Sequence, residues 1–592
     1  MRFIGIILAV MLGAVAAQAT EVQLVLPPDA PERLEDDLKA ASLTLSAARQ
    51  SDSTPQDLLA AARADYSRLI SVLYGRAFYG PEIHIVVDGV EAASLPPYAV
   101  SGPIRDIRIS ILPGSQFVFS RAEIAPLPNK VTLPPEFAPG QPAAATVIRD
   151  AAAAGVSGWR DVGHAKASLS SQRLVADHAS AELAATLGLT PGPRLAFGDL
   201  IVASESSVRA GRIQDIAGLP SGKTFSPHDL DQAAERLRRS GAFRSVVLTE
   251  AQDPNPDGSL DITATLVDER PHRIGAGAEL SSQEGLQASA YWMHRNLWGG
   301  AERLRFDGSV GGIGGQSGGL DYFAGVTLTR PATFGPDTSL RFAASQERLD
   351  EPDYFQDITR LSTGLVHQFS DSLILTGGVE LSHSEVRDDL GNRSFDQFLV
   401  PLTATWERRN SLLNPVEGFF LDIHATPFLG FDNSASGARL YTDGRVYRGF
   451  GRQDRLVLAG RAQLGTVMGV GLAEVPPEML FFSGGGGTVR GQPYQSLGVD
   501  LGGGVTVGGR SFIGLSGEVR FQLTDTYGVV GFADAGYIGQ SAFDGAGDWH
   551  SGAGLGLRYF TPIGPIRLDI AVPTGGDTGR DMQFYIGIGQ AF

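Results

Sequence analysis

The hydrophobic pattern of the chain changes character near residue 270. Before that point apolar residues recur at three- and four-residue spacings and also in short alternating runs, which predicts helices mixed with strands. Beyond it the helical period disappears, and about sixteen segments of around ten residues alternate apolar with polar. Two late segments carry the pattern best. Over 511–523, Ile513, Leu515, Gly517, Val519 and Phe521 share one face, while Gly514, Ser516, Glu518, Arg520 and Gln522 share the other. Over 566–572, Ile566, Leu568, Ile570 and Val572 alternate with Arg567, Asp569 and Ala571. Successive side chains of a strand point to opposite faces, so one face is hydrocarbon and the other bears charge. Tyr527 and Tyr537 bracket a further strand at the spacing of two aromatic girdles. A soluble sandwich with one wet face has the same period. The ending argues against it: 581–592 reads as a strand running to a terminal Phe592, with Phe584, Ile586 and Ile588 on one face. An exposed apolar edge of that kind invites aggregation in water.

Within the first 270 residues a unit of roughly 75–90 residues recurs. The last copy reads as a strand at 195–203, helices at 207–217 and 230–239, and strands at 244–249 and 261–267. Ser226 and Pro227 supply the cap and first turn of the second helix, and Asp257-Gly258 the hairpin turn between the two closing strands. A first copy has helices at 32–48 and 55–73 and strands at 82–87 and 104–111. A middle copy has a strand at 117–124, a helix at 143–162 and strands at 173–179 and 182–187. The expected organisation is a leader at 1–19, α+β modules at 20–114, 115–192 and 193–270, and an all-β barrel at 271–592.

Composition narrows the function classes. A net charge of −17 argues against nucleic acid as a partner. The absence of cysteine suits an envelope protein that needs no disulfides. Arg2, the apolar stretch 4–15 and Ala17-Gln18-Ala19 read in order as a secretory leader. After it, no run is long and apolar enough for a membrane helix, so a membrane would be crossed by strands.

The catalytic look-alikes are weak. Gly315-Gln316-Ser317-Gly318-Gly319 matches G-x-S-x-G, but it lies between two strands and has no arranged His and acid. Residues 253–258 imitate a calcium loop, yet the twelfth position is Ala264 and two prolines stiffen the segment. The ten histidines show no metal-ligand spacing. No catalytic residue, metal or cofactor is expected.

The informative segment is Phe481-Phe482-Ser483-Gly484-Gly485-Gly486-Gly487-Thr488-Val489-Arg490-Gly491-Gln492-Pro493-Tyr494, a glycine-loaded, nearly uncharged loop with one arginine. A guanidinium delivers a fixed charge and five donors, and a glycine-rich loop entering a barrel needs an anchor. By strand count, 465–510 joins the eleventh and twelfth strands. Glu518 and Arg520 face the lumen by alternation, and Phe532-Ala533-Asp534-Ala535-Gly536 places Asp534 inside too. The expectation is that Arg490 pairs with Asp534 or Glu518; the alternative is an exposed loop with a solvated arginine.

These pieces resemble the BamA/TamA family of outer-membrane assembly barrels. Val489-Arg490-Gly491 matches the core of its V-R-G-F/Y motif, although the aromatic, Tyr494, comes two residues late. Phe532 to Gly536 resembles its F-x-D-x-G. Arg295 to Glu302 is similar to its N-L-F-G turn, Arg409 to Gly418 to its R-x-N-P…G turn, and Thr561 to Asp569 to its T-P-x-G-P-I-R-L-D hairpin. The β-α-α-β-β units resemble POTRA (polypeptide-transport-associated) domains, with Gly241 and Phe243 as the Gly-x-Phe signature. Phe592 resembles the sorting signal of outer-membrane proteins.

The resemblance, greatest to the TamA branch, implies a cell outer-membrane barrel with periplasmic POTRA domains that assists assembly of autotransporters and other β-barrel proteins. It implies unfolded outer-membrane and autotransporter substrates, outer-membrane lipid, and a periplasm-spanning inner-membrane partner of the TamB type. Glycine weakens strand packing, so Gly275 and Gly277 in the first strand and Gly587 and Gly589 in the last mark a lateral seam. Two alternatives remain: a two-partner secretion transporter and a passive outer-membrane channel.

Overall fold

The computed structural model describes residues 20–592 except 51, 97–101, 282–284, 316–317, 433, 544–545 and 563. The expected leader, 1–19, and Ser317 lie outside the described residues. The chain divides into two compact units: Met1–Asp199 with Pro220–Asp229 and Ala251–Asp261, and Leu200–Leu219 with Leu230–Glu250 and Ile262–Phe592.

The first module sets helices Glu32–Ala41, Leu43–Ala48 and Pro55–Gly75 on a sheet ordered Glu21–Val25, Asp106–Leu112, Glu82–Val87, Val90–Glu91. The helix expected over 32–48 is broken at Ser42. The buried Asp65 carboxylate accepts from Ser42 Oγ at 2.6 Å, Leu43 N at 2.8 Å and Thr44 N at 3.1 Å, while Ser42 Oγ caps Leu45 N at 3.1 Å. A new helix start is satisfied there by a neighbouring helix's carboxylate, which sequence periodicity does not reveal. The second module carries one helix, Ala145–Asp161, beside a sheet ordered Val118–Ala125, Glu182–Thr190, Ser168–Asp177. Where a first helix would run, 126–144 is irregular and holds Pro126, Pro128, Pro134, Pro135, Pro139 and Pro142, residues that interrupt helical hydrogen bonding.

The third module has strand Ala196–Val202, helices Ala210–Ala217 and Pro227–Arg239, and strands Phe243–Glu250 and Ser259–Asp268. Gly241 closes the second helix at φ 71°, and Phe243 begins the next strand buried. In the second unit, Asp337 in the turn before strand Thr338–Glu351 accepts from Arg236 Nε at 2.9 Å, Arg236 Nη2 at 2.7 Å and Arg239 Nη2 at 3.0 Å. Arg212 Nη2 donates to Pro331 O at 2.5 Å in the same turn.

From His272 onward an antiparallel sheet closes into a barrel of seventeen segments. Gly391–Leu399 and Leu402–Glu407 both pair with Leu373–Asp388 on one side and Glu417–Phe431 on the other. They are therefore one stave interrupted at Val400-Pro401, and the wall has sixteen staves. The outer face exposes Ile274, Leu361, Phe369, Leu555, Ile586 and Ile588, an apolar coat that water would not tolerate over such an area. The inner face carries the charges: Glu518, Arg520, Asp534 and Asp569 are buried. Away from the junction of the first and last staves, the wall segments are hydrogen-bonded on both sides, so strands can cross hydrocarbon. Among the described residues no helix is long and apolar enough to cross a membrane.

The strand expected to run to residue 592 ends earlier. Gln583–Ile588 is the last stave, and Gly589, at φ 93°, turns the chain off the wall, a conformation glycine adopts without steric cost. Gln590 N then donates to Leu413 O at 3.0 Å. Phe592 is buried, its ring centroid 6.5 Å from that of Tyr447. Alternation of apolar residues cannot register a single left-handed turn.

Candidate functional site in the barrel lumen

The segment joining the eleventh stave, Leu456–Met468, to the twelfth, Ser511–Gln522, enters the barrel as a strap. Its root packs Val475, Met479, Leu480, Phe481 and Leu497 into a small apolar core with Phe512 and Ile538 of the wall. Backbone bridges Phe481 to Gly509 and Ser483 to Leu497 hold the descending and returning arms together. The strap touches the lumen wall at several staves: Arg439 Nε donates to Met479 O at 2.9 Å and Arg461 Nη1 to Gly487 O at 2.9 Å, and two further contacts involve its charged residues.

On one side Glu478 meets the sixth stave, Tyr354–Ser370. Its carboxylate accepts from Gln356 Nε2 and lies 3.7 Å from Arg360 Nη2. On the other side Arg490 is seated among charges. Its Nε donates to Asp534 Oδ2 at 2.7 Å and its Nη2 to Asp534 Oδ1 at 2.9 Å, a bidentate pair. Its backbone N also donates to Asp534 Oδ2, at 3.1 Å. Nη1 donates to Glu518 Oε1 at 2.6 Å and sits 3.6 Å from Asp569 Oδ2. The guanidinium carbon lies 3.7 Å from the centroid of the Phe532 ring, within cation–π range.

Arg520 Nε shares Glu518 at 2.8 Å, and its Nη2 donates to Phe592 O at 2.9 Å. Arg558 pairs with Asp569 and donates to Gln590 Oε1 at 2.7 Å. Three guanidiniums and three carboxylates thus form one cluster whose side chains are at most 6 % exposed. Buried charges persist only when paired in this way. The cluster also ties the inturned C-terminal residues to the strap.

Of the residues singled out from sequence, Arg490, Glu518, Arg520, Phe532 and Asp534 come together. Val489 is fully buried beside Gly536. Gly491 approaches the fifteenth stave so closely that an added Cβ would lie 2.6 Å from Val572 O, and one on Gly552 would lie 1.9 Å from Arg490 O. Tyr494 is elsewhere: its Oη is 3.3 Å from Glu351 Oε1 on the fifth stave. In place of the motif's aromatic, Gln492 is buried and its Nε2 donates to Ser551 O at 2.7 Å and Gly575 O at 3.0 Å. Those carbonyls flank the register shift between Ser551 and Gly552. Asp569, Arg558, Gln492 and Tyr585 were not singled out; Asp569 was visible on the polar face of its strand, whereas the roles of the others depend on the strap's path.

At the seam, the first stave, His272–Ser281, pairs along its whole length with the second. With the last stave, Ser281↔Tyr585 is the one pair among the described residues. Gly275 makes room for the Tyr291 ring, which an added Cβ would meet at 2.3 Å; Gly277 faces Ser289 Oγ and Gly587 faces Arg567. These glycines are therefore partly filled by neighbouring side chains, as aromatic residues cover glycines in other sheets.

A family profile described as the Omp85 superfamily domain matches residues 296–592. The chain belongs to the Omp85 superfamily. It is 26% identical over 373 residues to the chloroplastic outer envelope protein 80 of Arabidopsis thaliana, a match covering 57% of this chain and 48% of that protein. The chain thus spans about half the length of that relative. Its fold is similar to BamA from Haemophilus ducreyi lacking POTRA domains 1-3, with a TM-score of 0.63 at 17% identity over 79% of this chain and 99% of the other. Coverage of that extent reaches beyond the barrel into the POTRA-like α+β modules. CdiB from Acinetobacter baumannii aligns with a TM-score of 0.49 at 13% identity, over 80% of this chain and 90% of its own.

Proposed function

We propose that the protein is an outer-membrane insertase or translocase subunit of the TamA type, which assists assembly of autotransporters and other β-barrel proteins. The observation that carries this reading is the seam. Among the described residues, most of the first stave pairs on one side only, and in hydrocarbon unpaired backbone groups each cost several kcal/mol. An incoming substrate strand supplies the missing donors and acceptors by β-augmentation, so seam-to-substrate exchange replaces hydrogen bonds without a nucleotide. The POTRA-like modules offer sheet edges, such as Ser168–Asp177 at the end of its sheet, that suit an extended chain or a TamB-like partner spanning the periplasm. In this reading the barrel resides in a bacterial outer membrane and the modules in the periplasm. The strap fills lumen that a passive channel would leave open.

Reconstitution tests the proposal. Liposomes containing the protein are expected to speed membrane insertion of an unfolded autotransporter barrel over empty liposomes. Equal rates would refute the insertase reading, and a large steady conductance in planar bilayers would favour a channel.

A further inference from the structure

The strap and the seam meet at one residue. Tyr585 lies in the last stave and is the residue paired there with Ser281 of the first. Its neighbours Phe584 and Ile586 expose their side chains on the outer coat, so alternation turns the Tyr585 ring toward the lumen. There the phenol oxygen accepts a hydrogen bond from Gly491 N at 3.1 Å. Gly486 lies against the same ring, where an added Cβ would be 3.3 Å from Cδ1. Gly491 is itself fixed from both sides in sequence, by Arg490 on its carboxylates and by Gln492 on the carbonyls of Ser551 and Gly575.

We propose that Tyr585 is a positioning residue that couples the seat of the strap to closure of the seam. While the Val489-Arg490-Gly491-Gln492 tip is seated, its Gly491 N–H holds the Tyr585 ring and keeps the last stave in register with Ser281. When the tip lifts, the last stave loses that tether at its point of contact with the first. The inference rests on the lateral-seam reading above, but its readout is a distance and not insertion. Loss of insertion with the coupling intact would defeat the functional proposal alone, and the reverse result would defeat only the coupling.

The chain has no cysteine, so nitroxide labels at Ala278→Cys and Ile588→Cys are unique. These two positions would face each other if the Ser281↔Tyr585 register continued, and both side chains are exposed. Distances are measured by pulsed electron resonance on the full-length barrel in lipid. Tyr585→Phe, which keeps the ring and removes only the hydroxyl, is expected to lengthen and broaden the distribution by about one inter-strand spacing, ~4.8 Å. Gln492→Ala and Asp534→Asn, which loosen the tip, are expected to do the same alone and to add nothing to Tyr585→Phe. A parent-like distribution in Tyr585→Phe, or full additivity of either strap variant with it, would overturn the proposal.

Discussion

Truncating Arg490 to alanine should destabilise the barrel more than truncating either of its partners, because the carboxylates are unequally insured. Glu518 keeps Arg520 at 2.8 Å, and Asp569 keeps Arg558. Asp534 keeps only the backbone N–H of residue 490 and loses both side-chain bonds of the bidentate pair. Each charge-assisted bond contributes about 1.5–3 kcal/mol, and removing one partner of a buried pair costs about 3–5 kcal/mol through the charge left behind. Arg490→Ala is therefore expected to cost about 3–5 kcal/mol. Asp534→Ala leaves the guanidinium on Glu518 at 2.6 Å and near Asp569 at 3.6 Å, so its cost is smaller, about 2–3 kcal/mol. Adding Asp534→Ala to Arg490→Ala removes the stranded charge and should restore about 1–2 kcal/mol. The assay is reversible urea unfolding in lipid vesicles, followed by tryptophan fluorescence and by mobility of unheated samples on gels. If both single variants lie within about 0.5 kcal/mol of the parent, or if the double variant equals the sum of its parts, the anchor argument is wrong.

Three further outcomes follow from other contacts. Gly552→Ala places a methyl 1.9 Å from Arg490 O; it should displace the strap, cost about 1–3 kcal/mol and open residues 484–496 to protease, and an unchanged digestion pattern would count against the close approach. At Asp337, burial raises the carboxyl, but hydrogen bonds and charge from Arg236 and then Arg239 outweigh it and hold the group below its usual value. Its contribution, about 1 kcal/mol after screening by water, is fully present above the unfolded value near 4 and is lost as pH falls through the folded one. The protection of the Pro227–Arg239 amides, taken relative to their intrinsic exchange rate at each pH, should therefore fall in acid in the parent, and should be lower at neutral pH and without that acid step in Asp337→Asn. Phe592→Ala removes a buried ring packed on Tyr447 and Arg520 and should cost up to about 3 kcal/mol, read from the same urea series; no shift would mean that the inturn is not a packed element.

The parts of this molecule that were readable in the sequence are those governed by a short period or by scarcity. Sixteen staves follow from strict alternation, and the interruption at Pro401 does not disturb the count because both halves keep the same neighbours. Arg490 stood out as the one cation in a nearly uncharged glycine loop. What was not readable depends on a single dihedral or on backbone path. Ser42 interrupts an apolar helical period that continues across it, through a carboxylate more than twenty residues away. Gly589 redirects the terminus without altering the apolar pattern before it. Gln492 replaces an expected aromatic, and its value lies in two carbonyls exposed by a register shift, which no local pattern encodes.

The divided eighth stave has a mechanical consequence. In a ring of sixteen, the boundary between the eighth and ninth members lies directly across from the junction of the sixteenth and the first. There Val400 N reaches Pro427 O, and Pro427, lacking an N–H, returns no bond; on the other flank of the eighth member Gly378 N reaches Pro401 O, and Pro401 likewise withholds a donor from the seventh. A hoop that parts at one point must bend most at the opposite one. Here that opposite point has already given up part of its lattice, so flexing it breaks fewer bonds than flexing any intact stretch of the circumference.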